Sequence, residues 1–535
     1  MKKFLKASIV LGATLASLTT FTPLATVAFA QSERALELAL PSEPPTADPA
    51  IATDSSSGTI LRNVFEGLTR LNDNKPEPGM AESWEVSADG TVYTFKLRDA
   101  KWSNGEPVKA SDFEYAWKRV LNPETASEYS FILYYIKGAE AYNTGKGKVE
   151  DVGVKALDDK TLEVTLNSPT AFFLELTSFY TYMPVHQATV EKNQEWAADA
   201  GEEYVTNGPF VLAEWNHDSD YKLAKNENYW DAANVTLEEA NVRMIESEAT
   251  ANAEFQAGSL DFLGSPYQIP SLDNMEKYRA DGSLQVTPKN GVYWYKVNTQ
   301  DEVTGNVNIR KALALAIDRK SLIENITKAE QLPALGVIPP TIAGFESDRG
   351  YFADADYEKA KEYLAKGLEE LGLKDPSELK LKLSINTSES HSAIAQFIQE
   401  GWAKNLGIST EIDNSEWQVY LEKVTAMDYQ IARLGWTGDY NDANTFLEMY
   451  ATADSGNNDT GWENPEYKSL LEQAQAELDP AKRLELLQQA EAILVEEMPV
   501  IPIYFYTNAF VVQENVKNIK PDAAGNVDLK SVVIE

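Results

Sequence analysis

The carboxyl-terminal part of the sequence alternates strand patterns with amphipathic helix patterns. WYKVNT is followed by the periodic NIRKALALAIDRKSLIENI, and LKLKLSINT is followed by HSAIAQFIQEGWAKNLG, which Gly407 ends. Two later helices meet at LDPAKR, where Asp479 is the predicted cap and Pro480 occupies the first turn. A chain that repeats strand and helix in this way is predicted to form an α/β fold.

The amino-terminal part contains further strand and helix patterns. Apolar residues recur every four positions in SGTILRNVFEGLTRL, so a helix is predicted over Ser57 to Leu71. TVYTFKLRDAKW alternates with period two and predicts a strand. ASDFEYAWKRVL predicts a second helix, with Ser111 or Asp112 as its cap.

The length of the chain predicts more than one lobe. A chain of 535 residues is too long for one hydrophobic core. No internal repeat, low-complexity tract or flexible Gly/Ser linker occurs in the sequence. Lobes without linkers indicate that the chain crosses between them more than once.

The first residues resemble an export signal. MKKFLKASIVLGATLASLTTFTPLATVAFAQS begins with lysines, continues with an apolar stretch and ends in small residues around Ala30. This pattern is typical of a signal peptide, here 1–30, that is cleaved after Ala30, and the alternative is an uncleaved membrane anchor. The sequence therefore predicts an exported protein of the periplasm or the cell surface.

Composition excludes several classes of partner and site. The chain contains no cysteine and carries a formal charge of −36. Disulfides, cysteine nucleophiles, thiolate metal sites and a lipid on an amino-terminal cysteine are thereby excluded. Because phosphate contacts need clustered Lys and Arg, nucleic acid is not an expected partner. The acidity either serves solubility alone or attracts cationic solutes over a long range.

The sequence contains few signs of catalytic chemistry. The three histidines, His186, His217 and His391, are too far apart for a helical metal pair. No nucleophile elbow, phosphate-binding loop or EF-hand loop occurs. With 83 acidic residues, a carboxylate pair near a cleft carries little information. We therefore predict a binding protein that is not an enzyme and uses no metal or cofactor.

One stretch, ARLGWTGDYNDANTF, places Asp439 among aromatic residues and glycines. YQIARLGW alternates as a strand does, and Gly435 and Gly438 let a ligand or another backbone approach closely. A carboxylate in this setting needs a cationic partner. That partner is either a basic residue, of which Arg433 is the nearest in sequence, or the ammonium group of a ligand.

A second interpretation of Asp439 is that it caps a helix or forms a turn before ANTFLEMY. Asp442 or Asn444 is better placed for that cap, which leaves Asp439 free. Trp436 and Tyr440 are expected to supply flat apolar walls beside it. Recurrent aromatics in SEYSFILYY, GVYWYKVN and IPIYFYTN favour a cleft that accepts varied apolar shapes, although core and surface positions also explain them.

Several long segments resemble the oligopeptide-binding members of the extracellular solute-binding proteins (family 5) that serve ABC importers. They include NVFEGLTRL, AESWEVSADGTVYTFKLRDAKWSNGEPVKASDFEYAWKRVLNPETAS, TNGPFVLAEW, NIRKALALAIDRKSLI and GWTGDYNDANTFL, in the same order and at matching intervals. The resemblance covers nearly the whole chain after the signal. It implies an α/β, periplasmic-binding-protein-like fold of two lobes with an additional third domain, which closes like a hinge around its ligand.

The resemblance also implies domain boundaries. The first lobe would combine 31–65, 187–290 and 507–535, the extra domain would be 66–186, and the second lobe would be 291–506. Lys296 and Ala314 differ from the charged residues at those positions in some relatives, so the resemblance does not fix the length or charge of the ligand. Many relatives also carry a lipidated cysteine that this chain lacks.

A set of peptide-binding residues follows from the same resemblance. Asp439 in the DYN segment would bind the α-ammonium group of a peptide. His391 and Arg433 would meet a terminal carboxylate. Four aromatic residues would form the walls of the pocket: Tyr129, Trp417, Trp436 and Tyr506.

The main chain of the peptide would pair with the protein on two sides. The backbone of Gly435 and Thr437 would lie on one side, and the backbone from Thr53 to Ser55 on the other. Such β-augmentation gives affinity that does not depend on sequence, while side chains enter roomy pockets where water adjusts.

The function implied is a monomeric receptor that captures short peptides and delivers them to the permease subunits of an ABC importer. A first alternative is a receptor for another solute, such as a dipeptide, a cell-wall peptide, a signalling peptide or a metal chelate. A second alternative, from a different class, is a secreted hydrolase that depends on carboxylates.

Overall fold

A computed structural model describes residues 34–72 and 75–535. The predicted signal peptide and its cleavage after Ala30 lie outside the described residues. Within those ranges, no helix is both long enough and apolar enough to cross a membrane. The same ranges contain no group of three or more His, Asp or Glu side chains that could hold a metal ion.

Strands and helices are distributed along the whole described chain. The strands are β1 (Leu36–Leu40), β2 (Thr69–Asn72), β3 (Lys75–Pro78), β4 (Ala81–Val86), β5 (Val92–Leu97), β6 (Val154–Asp158), β7 (Thr161–Thr165), β8 (Phe210–Asn216), β9 (Asp220–Lys225), β10 (Glu239–Met244), β11 (Phe262–Leu263), β12 (Gln285–Val297), β13 (Leu332–Pro333), β14 (Leu381–Asn386), β15 (Thr410–Ser415), β16 (Ile431–Thr437), β17 (Val500–Val512), β18 (Val516–Lys517) and β19 (Val533–Ile534). The α-helices are α1 (Ser55–Val64), α2 (Ala110–Leu121), α3 (Ala139–Asn143), α4 (Phe173–Leu176), α5 (Gln187–Lys192), α6 (Glu248–Gln256), α7 (Met275–Asp281), α8 (Val307–Leu315), α9 (Arg319–Leu322), α10 (Tyr357–Glu370), α11 (Glu389–Leu406), α12 (Trp417–Thr425), α13 (Pro465–Ala476) and α14 (Pro480–Glu497).

Three sheets carry most of the strands. The first has the order β1-β10-β9-β8, with β1 parallel to β10 and the other pairs antiparallel. The second, β4-β5-β7-β6, is antiparallel throughout. The third has seven strands in the order β11-β17-β12-β16-β14-β15, with β13 paired to β17. This mixture of helices with parallel and antiparallel strands confirms the predicted α/β class, while the predicted domain boundaries stay a prediction.

The seven-stranded sheet positions the segment that the sequence singled out. β16 lies between β12, to which it is antiparallel, and β14, to which it is parallel. Beneath its first residues, Tyr420, Val424, Tyr429 and Ala432 form a small buried cluster that packs α12 against the strand. Helix α12 therefore packs against one face of β16, and β12 pairs with the strand along one edge, before the chain reaches Asp439.

The predicted helix over Ser57 to Leu71 is too long at its carboxyl end. The helix ends at Val64 because Phe65 is extended, with φ −117° and ψ 163°. Gly67 instead accepts a hydrogen bond from the Met80 backbone N–H at 2.9 Å and passes close to the backbone of Thr177. Since Leu68 is buried outside the helix, the apolar spacing continues past the point where the helix ends.

Two other predictions about helix ends differ in outcome. Lys109 precedes α2 as its cap residue, and Asp112 accepts the Lys109 N–H at 2.8 Å from within the first turn, so neither predicted cap of α2 is correct. Asp479 does cap α14, where it accepts the Ala481 N–H at 3.0 Å ahead of Pro480 in the first turn.

The helix predicted from NIRKALALAIDRKSLIENI is interrupted. α8 ends at Leu315 and α9 begins at Arg319. The side chain of Asp318 accepts the Ser321 N–H at 2.9 Å and so caps α9. Arg319 is fully buried and donates to the carbonyl of Pro502 at 2.9 Å, which ties the break to β17.

Candidate binding site

A cavity of about 690 Å³ lies beside β16. All of the predicted site residues line it: Thr53, Ser55, Tyr129, His391, Trp417, Arg433, Gly435, Trp436, Thr437, Asp439 and Tyr506. These residues come from widely separated parts of the sequence, and folding brings them to one place. Their contact with a peptide stays a prediction.

One edge of β16 is open along the part that faces the cavity. β14 pairs with β16 only at Ile431 and Ala432. Gly438 donates its N–H to the carbonyl of Asn290 on the opposite side, at 2.8 Å. Because N–H and C=O groups alternate in direction along an antiparallel pair, those of Gly435 and Thr437 point away from β12. This edge can therefore accept hydrogen bonds from, and donate them to, an extended chain.

The two glycines of this segment are required by neighbouring side chains. A Cβ on Gly435 would lie 2.4 Å from the Tyr506 hydroxyl oxygen. A Cβ on Gly438 would lie 2.5 Å from the side-chain nitrogen of Asn290. The atoms that come nearest are these side-chain ends, and at Gly435 the backbone oxygen of Val292 would also lie 3.0 Å from a Cβ. Close approach of a ligand to the two glycines stays a prediction.

Asp439 follows β16 and has few partners for its carboxylate. Tyr129 donates its hydroxyl to Oδ1 at 3.5 Å, and Oδ2 is buried without a hydrogen-bond partner in the described part of the chain. No basic side chain in that part forms an ion pair with it; Arg433 bonds elsewhere. Burial raises the pKa of Asp439 well above its usual range, and the nearby Glu448 adds to the increase, whereas Arg62 and the Tyr129 hydrogen bond oppose it.

The backbone around Asp439 is held by residues other than the carboxylate. The Asp439 N–H donates to the Thr445 hydroxyl at 3.1 Å. Asp442 caps the short 3₁₀ turn that follows by accepting the Asn444 N–H at 2.9 Å, as one of the two predicted caps. Asp439 is consequently not needed as a cap, and its side chain faces the cavity.

Tyr440 does not form a wall of the cavity, contrary to the sequence prediction. Its ring stacks on Phe172 with centroids 4.2 Å apart, and its hydroxyl donates to Glu448 at 2.7 Å. The Tyr135 hydroxyl also donates to Glu448, at 2.5 Å. Tyr440 therefore anchors the segment from behind, because consecutive residues of an irregular segment face different neighbours.

Aromatic rings enclose the end of the cavity that contains Asp439. Tyr129 and Trp436 stack with centroids 6.1 Å apart and an interplanar angle of 22°. Tyr129 also contacts Phe179 and Tyr180, with centroids 5.3 and 6.0 Å away. Such walls lower the local polarity around Asp439, which strengthens any electrostatic contact made there.

The cavity also contains a cationic region. Arg433 donates to the Asn386 side chain at 3.1 Å and to the Tyr506 hydroxyl at 3.3 Å, while its Nε is buried without a partner. No carboxylate of residues 34–72 and 75–535 forms an ion pair with it. The His391 ring lies 3.4 Å from the Tyr293 hydroxyl, and burial, aided by Arg433, lowers the pKa of His391 well below its usual value.

Residues that the sequence analysis did not single out also line the cavity. Asp54, between Thr53 and Ser55, caps α1 and accepts the Ser57 N–H at 2.7 Å, and burial raises the pKa of Asp54 to about 6. The acidic residue before a serine-rich helix start is a capping signal that could have identified it. Lys289 is a second such residue, and its sequence context, TPKNGVYW, contains no comparable signal.

Comparison with known proteins places the chain in a class and in a family. The fold is that of a solute-binding protein: a structure of the substrate-binding domain of an oligopeptide ABC transporter from Bacillus anthracis has a TM-score of 0.88 and 32% identity, covering 94% of this chain and 99% of that chain. The model of bacterial extracellular solute-binding proteins, family 5 middle, matches residues 75–458. The chain belongs to this family.

Two further relatives carry names that refer to peptides. The oligopeptide-binding protein OppA of Bacillus subtilis is 52% identical over 497 residues, which are 92% of this chain and 91% of that protein. A structure of Haemophilus influenzae OppA in complex with RPPGFSPFR has a TM-score of 0.87 and 31% identity, covering 94% of this chain and 99% of that chain. The periplasmic-binding-protein-like fold expected from the sequence is thereby confirmed.

Proposed function

We propose that the protein is an exported receptor that binds short peptides in extended form and delivers them to an ABC importer. Membership of the solute-binding family and the names of the oligopeptide-binding relatives support this function. The single observation that carries it is the half-buried Asp439 carboxylate, whose buried Oδ2 has no hydrogen-bond partner and which lines the cavity without an ion-pair partner from the described residues. A buried charge in that condition is unfavourable until a ligand cation arrives.

Each predicted residue has a role in this proposal. Asp439 binds the α-ammonium group of the peptide, and Tyr129 orients the carboxylate. The open edge at Gly435 and Thr437 pairs with the peptide main chain. Arg433 binds the terminal carboxylate, and neutral His391 contributes a hydrogen bond.

The remaining main-chain contacts come from the segment before α1. Thr53 and Ser55 flank the cap residue Asp54, and all three line the cavity. The cap fixes the backbone of this segment, so that its groups are available to the peptide. Trp417 and Tyr506 complete the walls that enclose the ligand side chains.

The spacing of the charged groups favours a short ligand. Arg433 and Asp439 are six residues apart, so their Cα atoms are separated by at most roughly 20 Å, the span of six extended residues. A peptide of a few residues can therefore place one terminus at each charged group.

The domain organisation, the oligomeric state and the export of the protein are part of the same proposal. We propose the lobe boundaries given above, with hinge closure that encloses the peptide. The receptor is a monomer, is exported by a signal peptide cleaved after Ala30, and captures peptides without converting them.

Native mass spectrometry of protein purified without denaturation tests this function. We expect additional masses of short peptides, which are released intact when the protein is unfolded. Incubation with excess peptide should then give one bound peptide per protein and no cleavage product. Turnover of the peptide, or no binding of any peptide after the endogenous ligand is removed, would contradict the proposal.

A further inference from the structure

Lys289 is a buried lysine in the wall of the cavity. Its residue is 8% exposed, and its Nζ donates to the Ser265 hydroxyl at 3.2 Å. The Nζ also lies 5.3 Å from the ring centroid of Tyr506. No carboxylate among the described residues forms an ion pair with it. An ammonium group has three donors, so most of its hydrogen-bonding capacity is directed at the cavity or its walls.

An irregularity in strand pairing gives Lys289 this position. On β12 and β17, Pro288 pairs with Thr507 and Val292 pairs with Phe505, so three residues of β12 stand opposite Tyr506 alone. Extra residues of this kind form a bulge that redirects side chains. Gly525 packs against the end of the lysine, since a Cβ there would lie 2.5 Å from Nζ.

The electrostatic setting of Lys289 is unfavourable in the empty cavity. Burial lowers the pKa of Lys289 to about 8, and Arg433 acts in the same direction, while Asp522 partly opposes the shift. The Asp522 carboxylate already accepts a hydrogen bond from the Asn526 N–H at 2.8 Å. The buried Lys289 and the half-buried Arg433 both approach Tyr506 as cations that form no ion pair with a carboxylate of the described residues.

A second buried lysine of the cavity wall, Lys296, has its ammonium group fully compensated by the protein. Lys296 is 3% exposed and lies on the same strand. Its Nζ forms an ion pair with Asp459 at 2.6 Å and donates to the carbonyl of Asn457 at 2.5 Å. Lys289 has only a hydroxyl in place of these two partners. Asp522 acts on Lys289 without forming an ion pair, so a ligand carboxylate would supply the direct anionic partner.

We propose that Lys289 and Ser265 form a subsite for a ligand carboxylate beside Arg433. This inference rests on the proposed peptide-binding function. One terminal carboxylate supplies one negative charge, whereas Lys289 and Arg433 together supply two positive charges around Tyr506. A second ligand carboxylate would balance the remaining charge. When the terminal carboxylate of the peptide binds Arg433, the subsite binds the carboxylate of an acidic side chain. When the acidic side chain binds Arg433, the subsite binds the terminal carboxylate.

The subsite predicts a preference for peptides with acidic character near the carboxyl end. Calorimetry would use tetraalanine and its variants with Glu or Gln at the second, third or fourth position, each as free acid and as amide. The proteins would be wild type, Lys289→Met and the surface control Lys404→Met. Lys404 lies on the exposed side of α11, away from the cavity, and loses the same charge.

For the wild type, we expect one of two preferences of at least about 30-fold in affinity. Either at least one Glu peptide binds more tightly than its Gln counterpart, or the free-acid peptides bind more tightly than their amides. Lys289→Met should lower that ratio by at least about 30-fold, whereas Lys404→Met should leave it unchanged. A collapse of the Glu-to-Gln ratio assigns the subsite to a side chain, and a collapse of the acid-to-amide ratio assigns it to the terminus.

Ratios that stay within about threefold in Lys289→Met would overturn the inference while leaving peptide binding intact. If no peptide binds the wild type, the proposed function fails and the inference fails with it. The thermal midpoint of Lys289→Met should equal or exceed that of the wild type, because an unpaired buried cation is removed. Lys289→Gln provides a second variant if Met does not yield folded protein.

Discussion

Two carboxylates removed from water, the buried Glu491 and the half-buried Asp439, differ in the partners that the protein gives them. Glu491 on α14 accepts the backbone N–H groups of Val337 and Ile338 at 2.9 and 3.0 Å and the hydroxyl of Tyr351 at 3.0 Å. It also pairs with Arg349 at 3.3 Å. Asp439 has one long hydrogen bond at 3.5 Å and an Oδ2 without a partner in the described ranges. The protein supplies all the partners of Glu491, and under the proposed function a ligand supplies the missing partner of Asp439.

If the proposed function is correct, this difference in partners separates a structural carboxylate, Glu491, from a ligand-binding one, Asp439. A buried charge stabilises a fold only when hydrogen bonds and an opposite charge compensate its loss of water. Asp439 lacks that compensation in the empty cavity, so its contribution appears when a cation binds. Substitutions at the two positions should therefore affect different measurements.

Glu491→Ala should have the largest effect on stability. The substitution removes the acceptor of two backbone N–H groups and leaves Arg349 unpaired, so we expect the free energy of unfolding to fall by about 3–5 kcal/mol. Chemical denaturation measures this change. Peptide affinity should not change, because Glu491 does not line the cavity. A loss below about 1 kcal/mol would show that Glu491 is not the structural member of the pair.

Asp439→Asn should have the opposite pattern. We expect the affinity for tetraalanine to fall by about 30-fold to several thousandfold, because a close charge pair loses one partner. The unfolding midpoint should stay the same or rise. The exposed Asp454, changed to Asn, controls for loss of one negative charge. Unchanged affinity in calorimetry would remove Asp439 from the binding site.

Peptide binding should also depend on pH through Asp439. Burial raises its pKa in the empty protein, and a bound ammonium lowers it again, so binding should release a proton. Affinity should rise by up to about tenfold per pH unit below the pKa of the empty protein, and fall above about pH 8 as the peptide amine loses its proton. Calorimetry in buffers of different ionisation enthalpy measures the number of protons released on binding.

The stability of the empty protein should show the reverse dependence. The folded-state pKa of Asp439 lies above the unfolded value, so its contribution is fully present at low pH and is lost as pH rises through the folded-state pKa. Asp439→Asn should remove both effects. A pH profile shared by wild type and Asp439→Asn would assign the titration to another group, such as Asp54.

Tyr129→Phe should have the smallest effect of the series. It removes one long hydrogen bond to Asp439 and keeps the stacked ring, so we expect affinity to fall by about 2- to 10-fold. Tyr182→Phe is a matched control, because its hydroxyl donates to the carbonyl of Ile132 outside the cavity. Equal affinity losses in both variants would indicate a general effect on packing.

The sequence predicted strand β16 and the cap that follows it because their signals are local. A strand pattern that stops between glycines, followed by an aspartate and a separate cap at Asp442, needs no information from distant residues. The placement of Tyr440 behind the segment could not be predicted in this way, since it depends on Phe172 and Glu448.

Other features depend on contacts between distant segments. Leu68 is buried whether or not the helix continues, so the apolar spacing could not reveal the end of α1 at Val64. The position of Lys289 depends on a bulge opposite Tyr506, and its sequence neighbours do not encode that pairing. These two features could not be predicted from neighbouring residues because partners far along the chain decide them.

The most direct test of the role of Asp439 combines the substitution with a change in the ligand. Calorimetry would measure the affinities of wild type and Asp439→Asn for tetraalanine and for N-acetyl-tetraalanine. If Asp439 binds the ammonium group, acetylation should weaken binding to the wild type by at least about 30-fold and binding to Asp439→Asn by no more than about threefold. Equal losses in the two proteins would contradict this role.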